Sequence, residues 1–446
     1  MVDDDSSSSR NTSFDRLTTP LNACSLETYT PIRNVPPTEV SISDCKISEE
    51  EGDVVIPLII GCYQLNEQQN DTTTNGEDKS SDISKSSSRS GELRLHMISP
   101  STISPSSSTS IKFGNTHDVV QMESGVLDGK WRRRQCEKTI NALAIYASAC
   151  ASGRIHLHSL ENNSNNNSKQ SWTLSHLTSS DESDGNALCL SLAWNDFINT
   201  ATNDKTNIKS EDQIVSSYSN GTVALHKVAT TTTNDDESQD VSIEETHRWN
   251  AHTMFGCPSE VWTCSFLRGH ENVVLSGADD VTLKVWDVRQ TQRHIHKIGE
   301  SEFDAGVTAI SSHPSIDHVF AVGSYDEYVR IYDYRKMDQP MSKVHVGGGV
   351  WRIKWHPSCY NREAEGDTSH SGKMLVAAMH GGCRVVNVPI LGGDDGDVEI
   401  ISQFTAHESM AYGADWISSD KCEVVASCSF YDRQAFIWNP NISEGD

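Results

Sequence analysis

The chain has 446 residues and a formal net charge of −26, with 62 acidic against 36 basic side chains. Nucleic-acid binding by phosphate neutralisation needs the opposite sign, so that class is excluded unless a local basic patch compensates; the one short cluster, Lys130–Arg134 (KWRRR), reads as a solvated loop. Twelve cysteines stand singly with no C-x-x-C pair, which removes the usual zinc and thioredoxin spacings.

The first residues, MVDDDSSSSR, are acidic and lack an apolar core, so neither a secretory signal nor a transit peptide is expected, and 1–20 read as a disordered acidic, Ser-rich tail. The longest apolar run, VVIPLIIGCY at 54–63, is too short to span a bilayer and contains a proline. A reduced, cytoplasmic, monomeric protein without membrane contact is expected. Stretches rich in Ser, Asn, Asp and Thr occupy 66–91, 161–185, 200–212, 229–245 and 359–372. They have too little apolar surface to bury and are expected to be disordered insertions.

Without the insertions a repeat emerges. Each unit opens with a short strand that often ends in Trp or His-Pro: VLDGKW (126–131), LSLAW (190–194), VWTCSF (261–266), VTAISSHP (307–314), VWRIKWHP (350–357) and YGADW (412–416). A strand–turn–strand follows: 145–158, 214–226, 273–287, 319–333, 374–388 and 424–439. A weaker first unit combines 25–31, 54–65 and 91–99, making seven. Alternation of period two, β-branched and aromatic content, and turn residues at fixed offsets all argue strands. VLSGADDVTLKVWD resembles the WD40 repeat, and the later spacing is near its period. The expected fold is all-β: a single seven-bladed β-propeller over 21–446, whose radial closure protects strand edges.

WD40 blades carry a buried hydrogen-bonded set of His, Ser or Thr, Asp and Trp, and buried polar groups are normally paired. The set reads His252, Ser276, Asp280, Trp286 in one blade and His407, Ser429, Asp432, Trp438 in the last. In the blade at 303–335, Asp326 and Tyr332 are present without a preceding His. In the blade at 346–389, Gly381 stands where the Asp belongs, beside His380. Asp326 and His380 are therefore the least committed members of the pattern, on the same end of adjacent blades. Phosphate-loop, dinucleotide, zinc-protease and serine-hydrolase motifs are missing, so no cofactor is expected. His156/His158 and His294/His296 have the H-x-H spacing of a metal site but no third ligand nearby, so no metal is expected either. Tyr325, Trp351, Tyr412 and Tyr431 fall in loops at one end, either as packing between blades or as an aromatic pocket for a cation.

AVGSYDEYVRIYDYRKMDQP, GGGVWRIKWHP, MHGGCRVV, YGADW and CSFYDR together resemble the diphthine methylesterase family, the WD-repeat proteins of diphthamide biosynthesis; IGCYQL and VLDGKW add to this. The match is dense over about 250–440 and thin before it. The resemblance implies hydrolysis of one methyl ester from the over-methylated histidine of elongation factor 2, a side chain that also bears a quaternary ammonium. No triad is fixed by the pattern. His380 is the expected general base for water and Asp326 its support. Gly347, Gly348 and Gly349 are expected oxyanion donors, and Tyr325, Trp351, Tyr412 and Tyr431 expected contacts to the cation. A covalent route through Ser324 or Cys428 is the alternative. A different class is a non-catalytic adaptor: Trp286-Asp287-Val288-Arg289, and nearly Tyr332-Asp333-Tyr334-Arg335, match the W-D-x-R pattern of cullin-RING ubiquitin-ligase receptors.

Overall fold

The structure is a computed structural model that describes residues 14–28, 56–65, 89–98, 113, 115–132, 144–163, 171–182, 187–196, 209–232, 239–360, 372–389, 398–419 and 422–440. Successive side chains of a strand point to opposite faces, and here both faces are buried. In Val319–Ser324 (VFAVGS), Val319 and Ala321 join Ile353 and Trp355 of the following sheet, while Phe320 and Val322 join Leu275 and Val285 of the preceding one. A strand of this kind belongs to two cores at once, which explains its nearly unbroken apolar sequence.

Seven antiparallel four-stranded sheets are present among the described residues, with Thr253–Met254 and Cys257–Pro258 as a separate two-stranded hairpin. From the innermost strand outward, the first is Asn22–Thr28, Ile56–Leu65, Arg89–Ile98, Thr116–Met122; the second Val126–Trp131, Ile145–Cys150, Ile155–Asn162, Trp172–Ser179; the third Cys189–Trp194, Lys209–Tyr218, Thr222–Thr232, Gln239–Asn250. The fourth is Thr263–Leu267, His270–Ala278, Thr282–Asp287, His296–Ile298; the fifth Val307–Ser312, Val319–Ser324, Tyr328–Asp333, Ser342–His345; the sixth Arg352–Trp355, Met374–Ala377, Cys383–Asn387, Glu399–Phe404. The seventh takes Ala411–Ser419, Cys422–Ser429 and Gln434–Trp438 from one end of the chain and Phe14–Thr18 from the other. Among the described residues the large apolar clusters fall one at each contact between neighbouring sheets, including the seventh with the first, where Val424, Ala426 and Ile437 meet Leu26, Leu58 and Ile60. The ring is closed, and the chain is a seven-bladed β-propeller.

The Trp and His-Pro endings of the inner strands lock each blade to the one before. The indole N–H groups of Trp194, Trp355 and Trp416 donate to the carbonyls of Lys130, Ser311 and Lys354 at 3.0, 3.2 and 3.1 Å. His313 and His356 each set a ring edge-on to the next blade's indole at 4.6 Å. The polar set of the fourth blade forms as expected: His252 Nε2 meets Ser276 Oγ at 2.7 Å, Trp286 donates to the same hydroxyl at 2.8 Å, and His252 Nδ1 meets Asp280 at 2.9 Å. In the last blade two serines share the work. His407 lies 2.8 Å from both Ser427 and Ser429, Trp438 donates to Ser427, and Asp432 reaches the ring only through Ser429.

Two boundary expectations change. The tail read over 1–20 contains the strand Phe14–Thr18, which pairs from Phe14↔Trp438 to Thr18↔Gln434; Phe14 sits edge-on to Phe404 and Phe436 at 5.7 and 5.5 Å. Residues 1–13 lie outside the described residues. Strands also run into the stretches read as insertions at 66–91, 161–185, 200–212 and 229–245: Arg89–Ile98, Trp172–Ser179, Lys209–Tyr218, Thr222–Thr232 and Gln239–Asn250. A ladder needs only backbone groups, so Thr230 and Thr231 pair with Val241 and Asp240 in an outer ribbon without contributing apolar bulk. Most of the rest of these stretches, and nearly all of 359–372, lies outside the described residues.

Candidate active site

In every blade, the turn between the second and third strands and the connection into the next blade's inner strand reach the same end of the ring. That rule brings Tyr325, Trp351, Tyr412 and Tyr431 to one rim. Trp351 is the hub: its ring lies 4.8 Å from Tyr412, inclined by only 25°, and 6.1 Å from Tyr325. Trp262 joins it from the fourth blade at 5.5 Å. Beyond Tyr412 the row continues to Phe430 at 5.5 Å, and from there to Tyr63 of the first blade at 6.1 Å and to Tyr431 at 4.8 Å. Tyr431 is largely exposed. Burial, followed by the Tyr431 phenol, pushes Tyr412 up to about 12, and burial and then Asp279 raise Tyr325. Both phenols are therefore neutral at physiological pH.

The glycine triplet threads between this row and the turn at 378–382. A side chain on Gly348 would begin 2.1 Å from the Ala378 carbonyl oxygen and 2.7 Å from the Gly381 nitrogen; one on Gly349 would begin 3.3 Å from the Tyr325 ring. Gly347 has φ +78°, a conformation that favours glycine. Among the described residues none of the three amides donates to a protein acceptor; the next one, Val350, donates to Ser324 O at 3.0 Å. The same turn carries His380, whose side chain is 64% exposed and lies 3.7 Å from Glu327 Oε1. Glu327 Oε2 in turn meets His345 Nε2 at 2.9 Å. Glu327 holds φ 70°, as Val281 (φ 59°) and Arg433 (φ 60°) do at the matching turn position of their own blades, so its left-handed backbone belongs to the blade turn.

Asp326 is not the partner of His380. Arg330 grips both its carboxylate oxygens at 2.9 and 2.8 Å, and the Asp304 and Tyr328 amides donate to it as well. Arg330 also donates to the Glu302 side chain and carbonyl. The guanidinium thus fills the place of the histidine this blade lacks, and Asp326 is structural. A basic residue four positions after the turn Asp recurs in the fourth blade, where Lys284 meets Asp280 at 3.2 Å beside the retained His252, so that spacing alone does not signal the replacement. The alternative nucleophiles are also committed. Ser324 is buried and donates to Ala305 O at 2.9 Å, and burial pushes the Cys428 thiol up to about 12.

The chain is 32% identical over 337 residues to a Dictyostelium discoideum protein named diphthine methyltransferase homolog, covering 72% of this chain and 78% of that one. The chain belongs to the diphthine methyltransferase family. The human and mouse diphthine methyltransferases are 31% and 32% identical over 67% and 66% of this chain, which spans 58% and 53% of their length. No model of a protein family matches.

In this member of the diphthine methyltransferase family the central channel holds a cavity of about 190 Å³. Its wall carries interlocked charges: Lys130 meets Asp128 at 2.8 Å and Glu27 at 3.0 Å, Arg352 meets Asp128 at 3.0 Å, and Lys354 bridges Glu27 and Asp415. The expectation of a solvated loop at KWRRR therefore fails for its first three residues. Lys130 and Trp131 line the channel, and Arg132 is buried against Asp212 at 3.1 Å; Arg133 and Arg134 lie outside the described residues. A third imidazole, His176, stands with His156 and His158, ring centres 5.4 to 6.5 Å apart, but no group of three His, Cys, Asp or Glu among the described residues is set to hold a metal ion. No described helix is long and apolar enough to cross a membrane. Arg289 and Arg335 are exposed at the opposite end of the ring, each clamped to the Asp two residues before it at 2.6 Å.

Proposed function

We propose that the protein hydrolyses diphthine methyl ester on elongation factor 2, releasing methanol and leaving diphthine for the final amidation of diphthamide biosynthesis. Family membership and the GGGVWRIKWHP and YGADW motifs support the reading. One juxtaposition carries it: an exposed imidazole beside Glu327, next to three glycine amides that no protein group among the described residues engages, at the edge of a row of aromatic rings. His380 takes a proton from water, and the hydroxide attacks the ester carbonyl carbon. The negative charge that develops on the carbonyl oxygen is met by the Gly347–Gly349 amides, where preorganised donors act most strongly. Collapse breaks the bond to the methoxy oxygen, which takes the proton back from the imidazolium and leaves as methanol. Glu327 orients the ring and stabilises its charged form. Tyr325, Trp351, Tyr412 and Tyr431 contact the rest of the modified side chain.

The name of these relatives describes methyl transfer, and one experiment separates the two chemistries. Purified protein is incubated with elongation factor 2 bearing diphthine methyl ester, and intact mass is followed. Loss of a single methyl ester with release of methanol is expected. No loss from a correctly modified factor overturns the hydrolase, and a gain of methyl groups on an under-methylated factor supplied with a methyl donor would replace it.

A second reading concerns the other end of the ring, where Arg289 and Arg335 repeat one geometry in adjacent blades. We propose that this end attaches to a ubiquitin-ligase adaptor. Co-purification with such an adaptor, abolished in the Arg289→Ala/Arg335→Ala double variant, is expected; unchanged capture by the variant would exclude these residues from the contact.

A further inference from the structure

The third strand of the sixth blade carries a cation without the counter-charge that its neighbours have. Ladder register fixes the corresponding positions: Gly277↔Leu283 in the fourth blade, Gly323↔Val329 in the fifth and Ala377↔Cys383 in the sixth. Counted from these pairs, His380 and not Gly381 takes the place of Asp280 and Asp326, and Arg384 takes the place of Lys284 and Arg330. Lys284 and Arg330 both reach the turn Asp of their own blade, at 3.2 and 2.8 Å. Both also reach the loop that enters the blade: Lys284 donates to the Ala251 carbonyl at 2.9 Å, and Arg330 to the Glu302 carboxylate at 2.8 Å. In the sixth blade neither place holds an acid. The turn offers His380, and the entering loop is Gly347–Gly349.

Arg384 is nevertheless buried, at 9% exposure. Its Nη1 donates to the carbonyls of Gly381 at 2.5 Å and Cys383 at 3.1 Å, and it forms no ion pair among the described residues. Glu327 of the preceding blade meets His380 and His345 instead. Nη2 has no partner among the described residues and faces the glycine loop. A side chain on Gly347 would begin 3.6 Å from Nη2 and, beyond its chain neighbours, meet nothing else within 4 Å. Open space therefore separates a buried guanidinium from the backbone of Gly347. Burial lowers the Arg384 pKa with only the Cys383 thiol opposing it, as befits a cation with no carboxylate beside it. A buried charge is costly unless paired, and the planar guanidinium fork matches the two oxygens of a carboxylate.

We propose that Arg384 and the Gly347–Gly349 loop form a binding site for a carboxylate. On the proposed hydrolase reading, that carboxylate is the one that ester cleavage creates. The methyl ester is neutral and leaves Arg384 unpaired. The tetrahedral oxyanion and then the product supply the missing charge. Arg384 is on that reading a further catalytic residue, engaged only as charge develops, which is where an electrostatic contact accelerates a reaction.

The site can be tested without the modified factor. Acetate and its neutral isostere acetamide are titrated against the intact protein at constant ionic strength, and thermal unfolding is followed. Acetate is expected to raise the midpoint saturably and acetamide to leave it unchanged. Arg384→Gln is expected to abolish the acetate shift, and Arg384→Lys, which keeps the charge, to retain part of it. With the methyl ester as substrate, Arg384→Gln is expected to lower kcat by about 10²-fold with KM little changed, the loss typical of one oxyanion donor. It is also expected to weaken inhibition by the diphthine-bearing product at least about tenfold. No acetate shift in the parent chain, or an equal shift in folded Arg384→Gln, overturns the site; an unchanged kcat overturns the catalytic role. The two readings also fail separately. An acetate shift that depends on Arg384, without ester hydrolysis, removes the proposed reaction and keeps this site. Hydrolysis without such a shift removes this site and keeps the reaction.

Discussion

On the proposed hydrolase reading, His380→Ala is expected to lower the rate of diphthine methyl ester hydrolysis by about 10²- to 10⁴-fold, the span over which a positioned acid–base group acts. The fall is expected in kcat, because on that reading the aromatic rings, and not the exposed imidazole at the rim, hold the substrate. Glu327→Gln keeps the shape but removes the charge that braces His380, and lowers kcat by a smaller factor with KM nearly unchanged. Asp326→Asn separates the two neighbours. Its loss is felt through Arg330, buried beside it, so stability falls while the folded fraction retains its turnover. Single-turnover measurements by intact mass, together with urea unfolding of each variant, give both readouts. A near-normal rate for His380→Ala would remove that residue from the mechanism.

Asp128→Ala destabilises the fold by about 3–5 kcal/mol, the usual cost of stripping one partner from a buried charge pair. Asp128 is fully buried on the innermost strand of the second blade. It accepts from Ser191 at 2.9 Å and from the Gly129 and Leu192 amides, and it faces both Lys130 and Arg352. Alanine leaves those two cations facing each other across the channel. Burial opposes ionisation of Asp128, yet Arg352 and then Lys130 outweigh it and hold the carboxyl well below its usual range. A carboxylate depressed in the folded state stabilises fully above its unfolded value of about 3.9, and the contribution is lost as pH falls below that value towards the folded one. Urea midpoints of the parent chain are therefore expected to fall on acidification below about pH 4, and the Asp128→Asn variant should show a shallower acid limb. Identical acid limbs would show that Asp128 is not a source of this dependence.

The blade repeat was legible because its signals are local and physically necessary. Trp355-His356-Pro357 reads as a strand end because the indole and imidazole have partners in neighbouring blades. His252 with Asp280 reads as structural because a buried imidazole requires such a partner. Tyr325, Trp351, Tyr412 and Tyr431 were predicted to share one end, and they do, because propeller topology fixes which loops meet. What escaped is what depends on substitution across elements. Arg330 replaces a histidine from a different strand, which turned Asp326 from a candidate into a scaffold residue. Glu327 lies one position further along and looked like an ordinary turn residue. Its carboxylate meets His380 of the next blade and His345 of the outer strand only in the folded ring. Trp262 looked like another strand tryptophan, and Phe14–Thr18, polar at three of its five positions, carried no apolar pattern that a reader could tell from a tail.

The pairing of Phe14–Thr18 with Gln434–Trp438 also sets a schedule for synthesis. The hydroxyl of Thr18 reaches the side chain of Gln434 across 416 positions of sequence. At about 5–20 residues per second, roughly 20–80 s pass between the emergence of the two partners. Throughout that interval the first segment has no sheet to join, and the six earlier blades must wait as an open arc with two unsatisfied faces. The ring becomes a ring only when its last blade is made, so the vulnerable period of this protein falls on the ribosome, before any substrate is met.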